Sequence, residues 1–376
     1  MKVYLDNAAT TPISKEVLDV MIPIMQNQFG NPSSIHRFGT VVRALVEHAR
    51  RNVSKLLNCS PGEVFFTSGG TEADNMAIRC AIRDLGIKHA ISSKIEHHAV
   101  EHTLEVMEKN GEIKLSYVNI DSKGNIDLAH LRSLLASNER SFVSLMHANN
   151  EIGTLLPIKK VGELCKEFNA IFHSDTVQTM GHYKIDTQSI HVHFLTCAAH
   201  KFHGPKGVGF LYINKSLHIN PFIYGGPQER NMRGGTENVY GIVGLSKALE
   251  EANKNIEEHQ KYISSLKKHM QNRLVNEIKG VEFNGEDIEH SLYTVLNVSF
   301  PPSDKGEMLL FSLDIEGIAA SGGSACSSGS NVGSHVLKGI GVSSERAAIR
   351  FSFSKYNTIE EIDYTVDKLK LILGIK

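Results

Sequence analysis

Between residue 60 and about residue 215, short runs rich in Val, Ile and aromatic residues alternate with longer stretches of helical periodicity. Such a chain has few ways to bury its apolar surface. Strands separated by helix-length segments pair in parallel, and both faces of the resulting sheet must be covered by helices. The expected fold class is therefore α/β with a mainly parallel sheet. Strands are expected at Val64 to Thr67, His89 to Ser92, Leu115 to Ile120, Phe142 to Met146, Ile171 to His173, Phe194 to Cys197 and Gly209 to Ile213. From Glu72 to Leu85, residues Ala73, Met76, Ala77, Cys80, Ala81 and Leu85 recur at helical spacing, which places Cys80 in the core.

Farther on, a charged helical stretch from about Lys247 to Lys279 leads into a smaller part built on Thr294 to Phe300, Ala347 to Ser354 and a terminal helix. Thr358 and Glu361 make a capping box for that helix. Ser321 to Ser334 is the least regular segment: ten of its fourteen residues are Ser or Gly, so it cannot be core, and it holds Cys326.

Composition narrows the function classes. The 376 residues include 40 basic and 41 acidic side chains, a net charge of −1, which leaves no surplus for gripping nucleic acid or anionic lipid. Five scattered cysteines with no Cys-x-x-Cys pair argue against a disulfide framework and a zinc cluster and fit a reducing compartment. The amino terminus has no apolar signal core, and no stretch approaches the ~20 apolar residues that span a bilayer. A cytoplasmic location without membrane or nucleic-acid partners is expected.

Three motifs carry chemistry. Thr67-Ser68-Gly69-Gly70-Thr71-Glu72 follows an expected strand and opens a helix, where backbone N–H groups and the helix end can hold a phosphate. Its plainer reading is a tight turn with a Thr71–Asp74 capping box. The P-loop and dinucleotide glycine patterns are both missing, which disfavours ATP and NAD. Next, Asp175 appears at the carboxyl end of a strand, where it can hold a ring nitrogen protonated or simply cap a helix. Lys201, in Ala199-His200-Lys201-Phe202-His203-Gly204-Pro205, sits at the end of an apolar run, where a desolvated lysine can form a Schiff base or be a plain loop residue. Together they match the needs of pyridoxal 5'-phosphate: an anion nest, an acid for the pyridine nitrogen and a lysine for the aldehyde.

At this point the sequence resembles the NifS/IscS cysteine desulfurases, of the class V pyridoxal-phosphate enzymes with the aspartate-aminotransferase fold (fold type I). The resemblance runs from Leu5-Asp6-Asn7-Ala8-Ala9-Thr10-Thr11-Pro12 through Phe29-Gly30-Asn31-Pro32-Ser33-Ser34 to Ile349-Arg350-Phe351-Ser352. It implies a large cofactor-binding domain over 15–255 and a small domain from 1–14 and 256–376 carrying the cysteine loop. It further implies that Lys201 forms the Schiff base and moves protons at the substrate Cα, that Asp175 pairs with the pyridine nitrogen, and that His97 stacks on the ring and serves as acid or base. Asn150 and Gln178 match residues near the phenolic oxygen, and Gly70, Thr71 and His200 match phosphate ligands. Thr236 resembles a threonine that reaches the phosphate of the neighbouring subunit, implying a homodimer. Three residues before Lys201 the family usually has Ser; here the residue is Ala198, and Thr196 is a candidate substitute.

Cys326 separates a desulfurase from a transaminase. Abstracting sulfur needs a thiolate that attacks the substrate sulfur and carries it away as a persulfide, whereas amino-group transfer needs none. Arg350 is expected to hold the carboxylate of L-cysteine by a bidentate pair, with Asn31 close by. The implied reaction yields L-alanine and passes sulfur to an iron–sulfur scaffold or another acceptor protein, for cluster assembly or for thio-cofactor and tRNA thiolation. No resident metal is expected, apart from transient ligation of a nascent iron–sulfur cluster by Cys326. The alternatives are a class V aminotransferase or selenocysteine lyase on the same fold, and a catalytically silent scaffold.

Overall fold

A computed structural model of the chain describes residues 1–137, 140–322 and 333–375. Its strands, in chain order, are β1 (Val3–Tyr4), β2 (Val64–Thr67), β3 (His89–Ser92), β4 (Lys114–Tyr117), β5 (Ser141–Ser144), β6 (Ile171–Asp175), β7 (Phe194–Ala198), β8 (Gly209–Ile213), β9 (Glu282–Asn284), β10 (Val295–Ser299), β11 (Ile318–Ala319) and β12 (Ala348–Ser352). Seven make one sheet in the order β2-β8-β7-β6-β5-β3-β4. The pairs from β7 to β4 are parallel, but β8 runs antiparallel to both β7 and β2. Only residues 199–208 separate β7 from β8, too short a connection for a crossover helix, so the chain must turn back on itself.

Neighbouring residues of each central strand point to opposite faces, and both faces are apolar. Phe65, Phe142, Ile171, Phe194 and Leu211 pack with helices Gly70–Asp84 and His98–Lys109. Phe66, Val143, Phe172, Leu195 and Tyr212 pack with helices Arg37–Leu56, Ile158–Glu167 and Val239–Lys254. This two-sided burial is why the strands read as unbroken apolar runs. Cys80 is fully buried, as its helical spacing predicts. Edge strand β4 is shorter than expected: its partner β3 ends at Ser92, opposite Tyr117, and after the Val118 N–H donates to Ser92 O the chain turns to an isolated bridge between Ile120 and Ile126.

The second layer is a three-stranded antiparallel sheet, β12-β10-β9. Leu266, Met270, Val298, Phe351, Ile362 and Val366 build its core, and Val3 and Leu5 join them from the other end of the chain. The charged stretch resolves into two helices, Val239–Lys254 and Ile256–Glu277, interrupted at Asn255. The terminal helix Ile359–Leu373 has the expected capping box, with Thr358 Oγ1 accepting from the Glu361 N–H and a Glu361 carboxylate oxygen accepting from the Thr358 N–H.

An extended amino-terminal strap ties the layers together. β1 pairs in parallel with β11, and the Ser352 N–H donates to Leu5 O at 2.7 Å. Asn7 Nδ2 donates to Ser352 O at 2.9 Å, and four residues later the Thr11 N–H donates to His200 O beyond β7. None of the described helices is long and apolar enough to cross a membrane.

Candidate active site

The carboxyl ends of β6 and β7 and the amino end of helix Gly70–Asp84 meet at one cavity of ≈ 240 Å³. Nine of the twelve residues singled out in the sequence line it: Gly70, Thr71, His97, Asn150, Asp175, Gln178, His200, Lys201 and Arg350. Local chain geometry explains their approach. Gly69 has φ +152°, which side chains rarely allow, and a Cβ on Gly70 would lie 2.9 Å from Val177 Cγ2. The helix can therefore begin directly against the turn after β6. That turn is held by Asp175, whose Oδ1 accepts from the Val177 N–H at 2.8 Å.

The capping box suggested by Thr71 and Asp74 does not form. The helix starts at Gly70, so Thr71 is already inside it, and no side chain caps its first N–H groups. Those donors remain available to an anion in the cavity. Asp74 instead turns inward and is buried, with Oδ1 3.4 Å from His173 Nε2 and, among the described residues, no hydrogen-bond partner on that oxygen.

Lys201 ends the single 3-10 turn that follows β7, and its Nζ donates to Ala8 O at 2.6 Å and Ala9 O at 2.9 Å. Gln178 Nε2 donates to the same Ala8 carbonyl at 3.0 Å. The amino-terminal strap thus forms one wall of the site. Arg350 comes from β12 and is 1% exposed; its Nη1 donates to Asn150 O at 2.9 Å and its Nη2 to Asp6 Oδ1 at 2.8 Å. Its buried Nε has no partner among the described residues.

Electrostatically the site is a set of desolvated groups. Burial, reinforced by their mutual repulsion, pushes the Asp175 carboxyl up to about 7, and burial does the same for Asp74. Burial also lowers His97 to about 4, helped by the charge on Lys201, and brings His200 and His173 to about 4. These imidazoles are neutral at pH 7. His97 Nδ1 accepts from the Ala99 N–H at 3.2 Å, capping helix His98–Lys109 and so fixing the ring at the cavity. His173 lies behind Asp175, 2.8 Å from Ser144 Oγ and 3.1 Å from Thr196 Oγ1. Thr196 is fully buried in that contact and does not line the cavity, so it does not take the place of the serine that Ala198 lacks.

Three residues stand apart. Thr236 is exposed and lines a separate cavity with Arg233 and Glu237. Asn31 is exposed, and its Oδ1 accepts from the Ser33 N–H at 2.9 Å rather than facing the cavity. Cys326 lies outside the described residues. The chain before it is tied to the site, because Ser321 and Arg350 exchange backbone hydrogen bonds of 3.2 and 2.7 Å. Sequence reasoning missed Asp74, His173, Asp6 and the Ala8 and Ala9 carbonyls. Asp74 and Asp6 lie inside motifs already noted, but only the fold turns them toward Asp175 and Arg350.

The sequence profile described as aminotransferase class-V matches residues 3–365. The chain belongs to that family. It is 43% identical over 376 residues to the cysteine desulfurase IscS of Dictyoglomus turgidum, covering 99% of this chain and 94% of that protein. The IscS of Clostridium botulinum strain Hall is 44% identical with the same coverage. A solved NifS-like protein superimposes with a TM-score of 0.92 at 38% identity, each chain covered in full. Another solved structure, described as SspA in complex with cysteine, gives 0.81 at 31% identity, covering 95% of this chain and all of that one. Within its family the chain therefore groups with the cysteine desulfurases.

Pyridoxal 5'-phosphate is the cofactor of this class, and the cavity fits it. The uncapped helix end, Thr71 and His200 suit a phosphate, and buried Asp175, pushed up to about 7, suits a pyridine nitrogen with which it can share a proton. Lys201 brings an amine and His97 a neutral aromatic face.

Proposed function

We propose that this protein is a pyridoxal-phosphate-dependent cysteine desulfurase. When bound, the cofactor supplies an electrophilic carbonyl and an electron-accepting ring. The residues do the rest. Lys201 holds the cofactor and shuttles a proton at the substrate Cα. Asp175 keeps the ring nitrogen protonated and so strengthens the electron sink. Gly70, Thr71 and His200 bind the phosphate, Asn150 and Gln178 stand near the ring oxygen, and His97 stacks and moves protons. Arg350, held by Asp6 and Asn150, binds the carboxylate of L-cysteine, with Asn31 assisting.

The Cys326 thiolate then attacks the substrate sulfur. The sulfur–carbon bond breaks, the carbon gains a proton, and L-alanine leaves while Cys326 keeps the sulfur as a persulfide. One observation carries this reading: a lysine, a buried aspartate and a buried arginine share one cavity in a chain of the desulfurase family. Adding L-cysteine to the cofactor-loaded enzyme with a reductant should release equal amounts of alanine and sulfide. Cys326→Ala should keep the cysteine-induced absorbance change and lose more than ~99% of sulfide release. Full sulfide release by that variant, or amino transfer to a keto acid in place of alanine formation, overturns the proposal.

We also infer the wider setting. Sulfur passes to an iron–sulfur scaffold or another acceptor protein, in keeping with the IscS names of the relatives. The enzyme works as a homodimer in the cytoplasm; Thr236 faces outward, and Ile35 and Phe29 are 95% and 78% exposed nearby in sequence to Asn31, as suits a contact with a second copy. The four described cysteines are free thiols, in keeping with a reducing compartment. A division into 15–255 and 1–14 with 256–376 is supported by the two core clusters and the break at Asn255.

A further inference from the structure

Helix His98–Lys109 starts at the active-site histidine and carries, on the side toward helix His335–Gly339, three more groups that the desulfurase reaction does not use. His98, Glu101 and His102 fall in the pattern His-x-x-Glu-His, which puts all three on one helical face. His335, the first residue of the other helix, completes the group. His98 Nδ1 lies 3.2 Å from Glu101 Oε2, and His335 Nε2 lies 3.6 Å from the same oxygen. One ligand atom from each of His98, Glu101 and His335 lies within 4.8 Å of the others. The rings of His98 and His335 are 4.4 Å apart, and that of His102 stacks on His98 at 4.5 Å.

Two imidazole nitrogens beside one carboxylate oxygen offer the N and O donors that zinc sites use. Metal–ligand bonds of 2.0–2.1 Å in tetrahedral geometry set ligand atoms ~3.3 Å apart, close to both His–Glu distances here. The three side chains are 28%, 15% and 24% exposed, so an ion can enter and a water can complete its shell. His335 Nε2 donates to the Glu96 carbonyl at 2.9 Å, so ion binding must displace that proton and turn the ring from the carbonyl toward Glu101.

We propose that His98, Glu101 and His335 form a binding site for a divalent ion of borderline softness, zinc foremost, that bridges the two helices beside the cofactor cavity. Imidazole and carboxylate together select such ions over Mg²⁺.

The test is calorimetric titration of ZnCl₂ into untagged, cofactor-loaded Cys326→Ser protein, a background that removes the thiol as a rival ligand. One equivalent per chain should bind, and 10 mM (about a cellular excess) Mg²⁺ should not compete. Because loss of an outer-shell partner alone costs about 10–100-fold in metal affinity, His335→Gln and Glu101→Gln should each weaken binding at least ~10-fold. Thermal melts with and without zinc keep the result clear of misfolding: zinc should raise the Tm of the background protein and leave that of folded His335→Gln unmoved. Stoichiometric binding that survives both substitutions, or no binding to the background protein, overturns the proposal.

Discussion

Asp74 and Asp175 lie side by side under the cavity, and their protonation governs the cofactor-free protein. Both carboxyls sit near 7 in the folded chain because burial opposes their charge, against an ordinary value of 3.8. A raised carboxyl favours the folded state only while protonated. The cost of ionising it therefore accumulates as pH rises from about 4 and is complete above about 7. Asp74→Asn removes one such cost. Cofactor-free Asp74→Asn should be more stable than the parent by roughly 2–4 kcal/mol at pH 8, with the gain shrinking toward pH 5. Urea unfolding at the two pH values measures this, and equal stabilities at pH 8 would contradict it. The residues that make this arrangement were only partly legible. Asp175 stands out at a strand end, but Asp74 reads as half of a capping box until Gly69 is seen to start the helix earlier. Lys201 was visible as a lysine after an apolar run, whereas the Ala8 and Ala9 groups that it binds are backbone carbonyls, which no side-chain pattern can announce.

At the scale of elements, strands β2, β3 and β8 appear at the residues expected from their apolar runs, since two-sided burial leaves a strong signal. The two-residue strands β1 and β11 carry no such signal, because their pairing is decided by partners more than 300 residues away. The same holds for the antiparallel turn of β8, which follows from connection length rather than composition. The seat proposed for the phosphate depends on a helix packed against a turn without room between them. A methyl group on Gly70 would press on Val177, two residues beyond Asp175. Gly70→Ala should leave the protein folded and weaken cofactor retention about 10-fold or more, since a 1 Å displacement of a binding group can cost two powers of ten. Equilibrium dialysis against pyridoxal phosphate gives the number, and unchanged retention would show that Val177 yields freely.

For the whole molecule, the placement of Thr236 outside its own chain's cavity is the informative fact. If a second copy brings its Thr236 to the phosphate, size and cofactor retention are linked. Sedimentation should give twice the 41.5 kDa of one chain. Thr236→Ala should remain a dimer yet lose cofactor about 5–10-fold faster, as expected for removal of one charge-assisted hydrogen bond. A monomer that retains cofactor fully would refute this arrangement.

The strap has a consequence for how the protein is made. Leu5 and Asn7 find their partners at Ser352 and Asn357, separated from them by about 345 positions, and the next residues, Ala8 and Ala9, hold the Lys201 amine. A ribosome delivers these two segments about 345 residues apart. The large sheet can assemble on the nascent chain, but this wall of the cavity cannot close until Ser352 and Asn357 have emerged. A product truncated before Arg350 is left without that residue and without the contacts that hold the strap at the cavity.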